Sequence, residues 1–278
     1  MPNVSLVGRD RDRLLPADRA TRSVARSLYE RVSSAPIVSP HGHVPVEWLV
    51  DDRPFADPAS LLITHDHYVT RLLHASGVGL DELGVGGSPA DPREVWRLFA
   101  ERWHLFVGTA SGYWLSESLE NVLDLRMPLT AATADDTYDH IAAKLLEPGM
   151  RPRGLFDRFG IEVLATTDDP LDDLAGHAAL AAEGEVGRVV PTFRPDRYLD
   201  PDAVGFAENV RRLLDVTGEP STFAGYLAAL ERRRQYFIEH GAVSADHGVE
   251  VPDTLDLDDA DGQTLFARVM SGHADAAD

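Results

Sequence analysis

Four short apolar runs in this chain end in the same way, each passing at once into charged or protonatable side chains. "APIVSPHGH" ends in His41 and His43, and "IEVLATTDD" in Thr167, Asp168 and Asp169. "GRVVPTFRPD" ends in Arg194 and Asp196, and "AVSADHG" in Asp246 and His247. Helical segments separate the last three runs: "PLDDLAGHAALAAEG", "AVGFAENVRRLLDVTG" and "TFAGYLAALERRRQYFIEHG". Strands alternating with helices imply an α/β fold of parallel units joined by right-handed crossovers. In such folds the carboxyl ends of the strands face one mouth. The polar ends are therefore expected to converge on one site.

The rest of the chain reads as helix. Residues 17–33 place Val24, Leu28 and Val32 four apart, the spacing of an amphipathic helix. Residues 66–75 form a helix that ends before Gly77, and residues 91–146 are mainly helical, opening with an Asp cap and a proline in "DPREVWRLFAERWHLF". The tail holds an acidic turn, with Asp256, Asp258, Asp259 and Asp261, then one short helix.

With 278 residues the chain has room for one large domain or two smaller ones. A net charge of −20 repels nucleic acid and anionic membranes, so neither is an expected partner. No apolar run approaches the roughly 20 residues of a membrane helix, and the N-terminus lacks an apolar leader segment. Cysteine is absent, which excludes disulfides and thiolate chemistry and fits a cytoplasmic location. Basic residues are almost all arginine, the residue whose planar fork grips a carboxylate in two places.

Each polar end carries a functional and a structural reading. Residues two apart in a strand share a face, so His41 and His43 can point at one cation, with Gly42 keeping the position between them small. Histidine pairs of this kind are also common as surface or core residues. In "THDHY", His65, Asp66, His67 and Tyr68 can move protons, or Asp66 caps a helix and Tyr68 packs. In "TTDDP", Asp169 before Pro170 reads as a helix cap, leaving Asp168 free for function. Arg194 can clamp a carboxylate or pair with Asp196 or another acid. His247 can bind a substrate or a loop. His104, His140, His177, His240 and His273 read as structural or exposed.

Six stretches in register resemble the bacterial uronate (glucuronate) isomerase family of the amidohydrolase superfamily. They are "SPHGHVPVEWL", "THDHYVTRLLHASGV", "LFVGTASGYWL", "RPRGLFDRFGIEVLATTDDPLDDLAGH", "VVPTFRPD" and "GAVSADHG". The resemblance implies a metal-dependent (β/α)8 TIM-barrel fold. It implies isomerisation of D-glucuronate to D-fructuronate, and of D-galacturonate to D-tagaturonate, by metal-assisted proton transfer between C1 and C2. By motif position His41 and His43 would be metal ligands for zinc or manganese. His67 and Tyr68 would be catalytic, with Tyr68 the proton shuttle. Arg194, Asp168 and His247 would bind the uronate. Residues 1–64 would be the first part of the barrel, 65–150 a helical insertion, and 151–278 strands two to four.

Family members are longer, so the resemblance also implies a chain that stops after the fourth strand. The fifth-strand histidine and eighth-strand aspartate would be missing, the metal weakly held, and the chain itself inactive. A half barrel exposes two sheet edges, and aggregation, a homo-oligomer or a partner chain is then expected. Two other classes remain open at this point: a metal-dependent hydrolase on the same scaffold, and a non-catalytic uronate-binding remnant.

Overall fold

Several of the expected helices open on a side-chain oxygen that closes their first turn. In the computed structural model, which describes residues 12–87, 89–184, 187–248 and 257–273, the chain begins with α1 (Arg19–Val32), β1 (Ile37–Ser39), α2 (Val46–Asp51) and α3 (His67–Ala75). It continues through α4 (Pro92–Glu101), α5 (Ala110–Glu117), α6 (Ala134–Leu145), α7 (Pro152–Arg158), β2 (Ile161–Ala165) and α8 (Ala175–Glu183). Then come β3 (Arg188–Val190), α9 (Asp196–Leu199), α10 (Phe206–Thr217), α11 (Phe223–Glu239) and α12 (Asp259–Met270). Asp18, Asp66, Asp91 and Asp258 each accept backbone N–H groups at the start of α1, α3, α4 and α12. The tail acids are thus not a loop: Asp258 is the cap, and Asp259 and Asp261 lie in the first turn of α12, where carboxylates oppose the helix dipole. Asp256 lies outside the described residues.

The chain divides into two compact units. The first comprises Met1–Ala35 and Asp52–Arg158, and so takes in α1 and α7 along with the predicted insertion. Its core is built on Trp96, Phe99 and Phe106, with Phe99 5.4 Å from Trp96 and 5.3 Å from Phe106 between ring centres. Trp96 is fully buried, so its Nε1–H needs a partner and donates to Thr137 Oγ1 at 3.0 Å. The predicted apolar stripe of α1 forms, but Val24, Leu28 and Val32 are exposed.

The second unit comprises Pro36–Asp51 and Phe159–Asp278 and contains the sheet. β2 is central and pairs in parallel with β1 and β3, Ser39 opposite Leu164 and Leu164 opposite Val189. Phe193, Phe237, Leu174, Tyr198 and Val210 form the core beside it. The apolar runs predict four strands here; among the described residues three form. Regular pairing of β3 with β2 stops at Val190, and at Thr192 the N–H goes to the Asp168 side chain instead of a backbone carbonyl. The expected fourth strand at 242–248 is a single bridge, Phe193 pairing with Ala245 on one side and Asp168 on the other. The result is a helix-rich mixed α/β fold with a small parallel sheet. Among the described residues no helix is long and apolar enough to cross a membrane.

Thr137→Val keeps the shape of that side chain and strands the Trp96 N–H. Urea unfolding should show a loss of about 1–3 kcal/mol, whereas an unchanged midpoint would mean the hydrogen bond contributes nothing.

Candidate functional site

The "HGH" segment follows β1 rather than belonging to it, so strand alternation is not what aligns the two imidazoles. β1 ends at Ser39, and the next residues run as irregular backbone up to α2. Ser39 Oγ donates to His41 O at 3.2 Å, and Thr167 Oγ1 to Gly42 O at 2.7 Å. A Cβ on Gly42 would sit 3.1 Å from Ala165 O and 3.4 Å from Leu164 Cδ1, so the glycine lets this segment lie against the end of β2. The rings then converge, with His41 Nε2 3.0 Å from His43 Nε2 and an interplanar angle of 83°. His41 Nδ1 lies 3.0 Å from Asp246 Oδ2. Donation of Nδ1–H to that carboxylate leaves His41 Nε2 as a bare lone pair.

Two nitrogens bound to one ion at about 2.0–2.1 Å stand about 2.8–3.4 Å apart for coordination angles between a right angle and the tetrahedral value. The observed pair fits that spacing, and it equally fits a hydrogen bond in which His43 donates. Among the described residues no group of three or more His, Asp or Glu side chains is arranged to hold a metal. The described donor set is therefore two imidazoles, one oriented by a carboxylate.

Arg194 is held between two acids, Asp196 and Asp246. Its Nε donates to Asp196 Oδ2 at 2.7 Å and its Nη1 to Asp246 Oδ2 at 3.1 Å. Asp196 Oδ1 accepts from the N–H of Gly248 at 2.9 Å. A Cβ at Gly248 would lie 2.9 Å from Arg194 Nη2, so this glycine leaves room for the guanidinium. Burial alone would raise Asp196, but the Arg194 hydrogen bond, the Gly248 N–H and the nearby charges of Arg194 and His247 hold it below the usual carboxylate range. His247 itself is exposed.

Asp168 is buried at the end of β2. Its Oδ2 accepts from Thr166 Oγ1 at 2.7 Å and from Thr192 N at 3.0 Å. Thr166 Oγ1 is also 2.8 Å from Nε2 of the buried His177. Asp169 does not cap α8, because that helix starts at Ala175 after Leu174 turns with φ +55°. It accepts instead from Leu171 N and from Tyr198 Oη, at 2.9 and 2.7 Å. Arg233 donates to the carbonyls of Pro170 and Asp172, which fixes the loop that carries these acids.

An open cleft of about 470 Å³ lies over these strand ends. His43, Asp168, Asp169, Arg194, Asp196 and Arg197 line it. Glu47 and Asp172 add two further acids, so carboxylates outnumber guanidiniums. His67 and Tyr68 belong to the first unit, at the N-terminus of α3 capped by Asp66. Tyr68 is half exposed rather than packed in a core, its ring 4.2 Å from that of His67 and 4.6 Å from the Arg71 guanidinium. The sequence reading left Asp246, Thr166 and His177 without site roles. The signal for Asp246 was its place beside His247 at a polar end; Thr166 and His177 both stand in the "TTDDPLDDLAGH" stretch.

Burial holds the His177 imidazole below its ordinary pKa of 6.5, against the pull of Asp168, Asp172 and Glu47, while His240 pushes the same way as burial. Below 6.5 the unfolded chain then binds a proton that the folded chain refuses, so this residue's contribution is present above that pH and is lost as pH falls. Urea unfolding followed from pH 7.5 downwards should show a steeper loss for the wild type than for His177→Gln. Parallel curves would contradict the shift.

The glucuronate isomerase family model matches residues 17–278. The uronate isomerase of Corynebacterium efficiens is 50% identical over 271 residues, covering 96% of this chain and 58% of the relative. That of Rhizorhabdus wittichii is 51% identical over 266 residues, covering 95% and 57%. The crystal structure of glucuronate isomerase from Caulobacter crescentus superposes with a TM-score of 0.92 at 41% identity, covering 98% of this chain and 58% of that one. The chain thus spans a little over half the length of these relatives.

Proposed function

The chain belongs to the glucuronate isomerase family, and on that premise we propose that it carries part of the site of an aldose–ketose isomerase. Its substrates would be D-glucuronate and D-fructuronate, and D-galacturonate and D-tagaturonate. The parallel order β1–β2–β3, continued by the Phe193–Ala245 bridge, suits the opening strands of a (β/α)8 barrel. The observation that carries the reading is one linked cluster of strand-end groups: His43, His41, Asp246, Arg194 and Asp196.

In this reading His41 and His43 hold a divalent cation, zinc or manganese, through their Nε2 atoms. When bound, the cation would polarise substrate oxygens and ease loss of the neighbouring carbon-bound proton. Asp246 keeps the His41 ring oriented by taking its Nδ1–H. Arg194, stretched between Asp196 and Asp246, offers its Nη2 edge to the uronate carboxylate. Asp168 accepts a sugar hydroxyl and His247 flanks the opening. For His67 and Tyr68, which belong to the first unit, the proton-transfer roles rest on the family motif alone, the Tyr68 hydroxyl carrying a proton between the two substrate oxygens. The charge balance supports a cation as well: a cleft with more carboxylates than guanidiniums repels an anionic sugar unless positive charge is added.

The test is an isomerase assay on the purified chain with added zinc or manganese, reading conversion of glucuronate to fructuronate. Glucuronate binding that is lost in His43→Ala is the expected result, with or without turnover; absence of both binding and turnover would contradict the proposal. Asp246→Asn should weaken zinc binding by about 10- to 100-fold, the usual effect of removing a carboxylate behind a liganding histidine. Unchanged zinc affinity would exclude that role for Asp246.

A further inference from the structure

Thr166, Asp168 and His177 form a buried chain at the end of β2 that the isomerase reading leaves largely unused. Thr166 Oγ1 sits 2.7 Å from Asp168 Oδ2 and 2.8 Å from His177 Nε2, and His177 Nε2 is 3.8 Å from Asp168 Oδ1. The His177 side chain is 2% exposed, and its Nδ1 is buried with no hydrogen-bond partner among the described residues.

These contacts fix where the protons lie. The Thr166 hydroxyl has two acceptors, Asp168 Oδ2 at 2.7 Å and Val190 O at the longer 3.2 Å; with its proton on either, its oxygen must accept from His177, and His177 is the Nε2–H tautomer. Only an acceptor lone pair on Nδ1 is then left without a partner. The opposite tautomer would bury an Nδ1–H donor with nothing to receive it and would take the hydroxyl proton away from Asp168, a costlier arrangement. Thr192 N–H holds the same Oδ2 at 3.0 Å. Both anchored bonds thus fall on one carboxylate oxygen.

We propose that His177 and Thr166 are positioning residues that turn Oδ2 of Asp168 inward and present Oδ1 to the cleft as the acceptor for a sugar hydroxyl. The inference rests on the uronate reading of the cleft and extends it to two residues outside the lining. Burial favours the uncharged imidazole that the tautomer requires. The groups facing His177 are Asp168 at the end of β2, Asp172 in the next loop, Glu47 on α2 and His240 after α11. Asp168 itself is pushed up by burial, against the hydrogen bonds from Thr166 and Thr192. Its ability to accept from a ligand therefore depends on those two donors being in place.

Two readouts on the full chain test this. Calorimetric titration of D-glucuronate into the zinc-loaded protein should show affinity reduced about tenfold or more in Thr166→Val, the weight of one hydrogen bond to a charged group. Thr166→Ser, which keeps the hydroxyl, should restore it. Ring-nitrogen NMR at pH 7 should show His177 as the neutral Nε2–H tautomer in the wild type, with its Nε2–H signal shifted in Thr166→Val. Equal affinity in wild type and Thr166→Val, with matching thermal unfolding, would overturn the positioning role. An Nδ1–H tautomer in the wild type would overturn the proton order. If the wild type takes up no glucuronate, the uronate reading falls and the hydroxyl role with it, while the NMR result still decides the order His177, Thr166, Asp168.

Discussion

One carboxylate oxygen ties the strand ends together. Asp246 Oδ2 lies 3.0 Å from His41 Nδ1 and 3.1 Å from Arg194 Nη1, so a single atom orients an imidazole and a guanidinium at once. Asp246 can do this because the backbone around Ala245 pairs with Phe193, whose other side pairs with Asp168. The bridge is short, but it sets residue 246 at the same level as 168 and 194. Remove that alignment and the His41 ring loses its orienting partner, while Arg194 keeps only Asp196. The geometry of the two histidines is therefore a consequence of sheet register as much as of local sequence.

The second constraint is charge. The chain carries a net charge of −20, and its cleft repeats the imbalance with Glu47, Asp168, Asp169, Asp172 and Asp196 against Arg194 and Arg197. The Arg194 charge is largely answered by Asp196 and Asp246. A divalent cation on the imidazole pair would reverse the local field, as the proposed uronate substrate would require. The buried Thr166–Asp168–His177 chain treats its acid differently, with neutral donors rather than a guanidinium.

Much of this was readable from residue order. Apolar runs ending in polar groups located β1, β2 and β3 and the cluster of groups at their ends, and aspartate caps located α3 and α4. Three features were hidden. The "HGH" pair looked like alternating strand residues, yet Thr167 and the small size of Gly42 shape an irregular segment there. The fourth apolar run lacked the length of pairing to become a strand: the edge that faces it offers the N–H of Phe193, which donates to Ser244 O, but none at Pro191. Pro170 after Asp169 imitated a helix start, but Arg233 and Tyr198 hold that loop from distant helices. Each of these depends on contacts between residues far apart in the chain, which spacing alone does not encode. The role of His177 is hidden for the same reason: its partner Thr166 lies on a different element.

The central claim is that the converging Nε2 atoms of His41 and His43 are a cation site rather than a hydrogen-bonded pair. Zinc K-edge X-ray absorption on the zinc-loaded chain tests it most directly. The account predicts a first shell with two imidazole nitrogens at about 2.0–2.1 Å, lost in His41→Ala. A shell of oxygens alone, unchanged by that substitution, would contradict it.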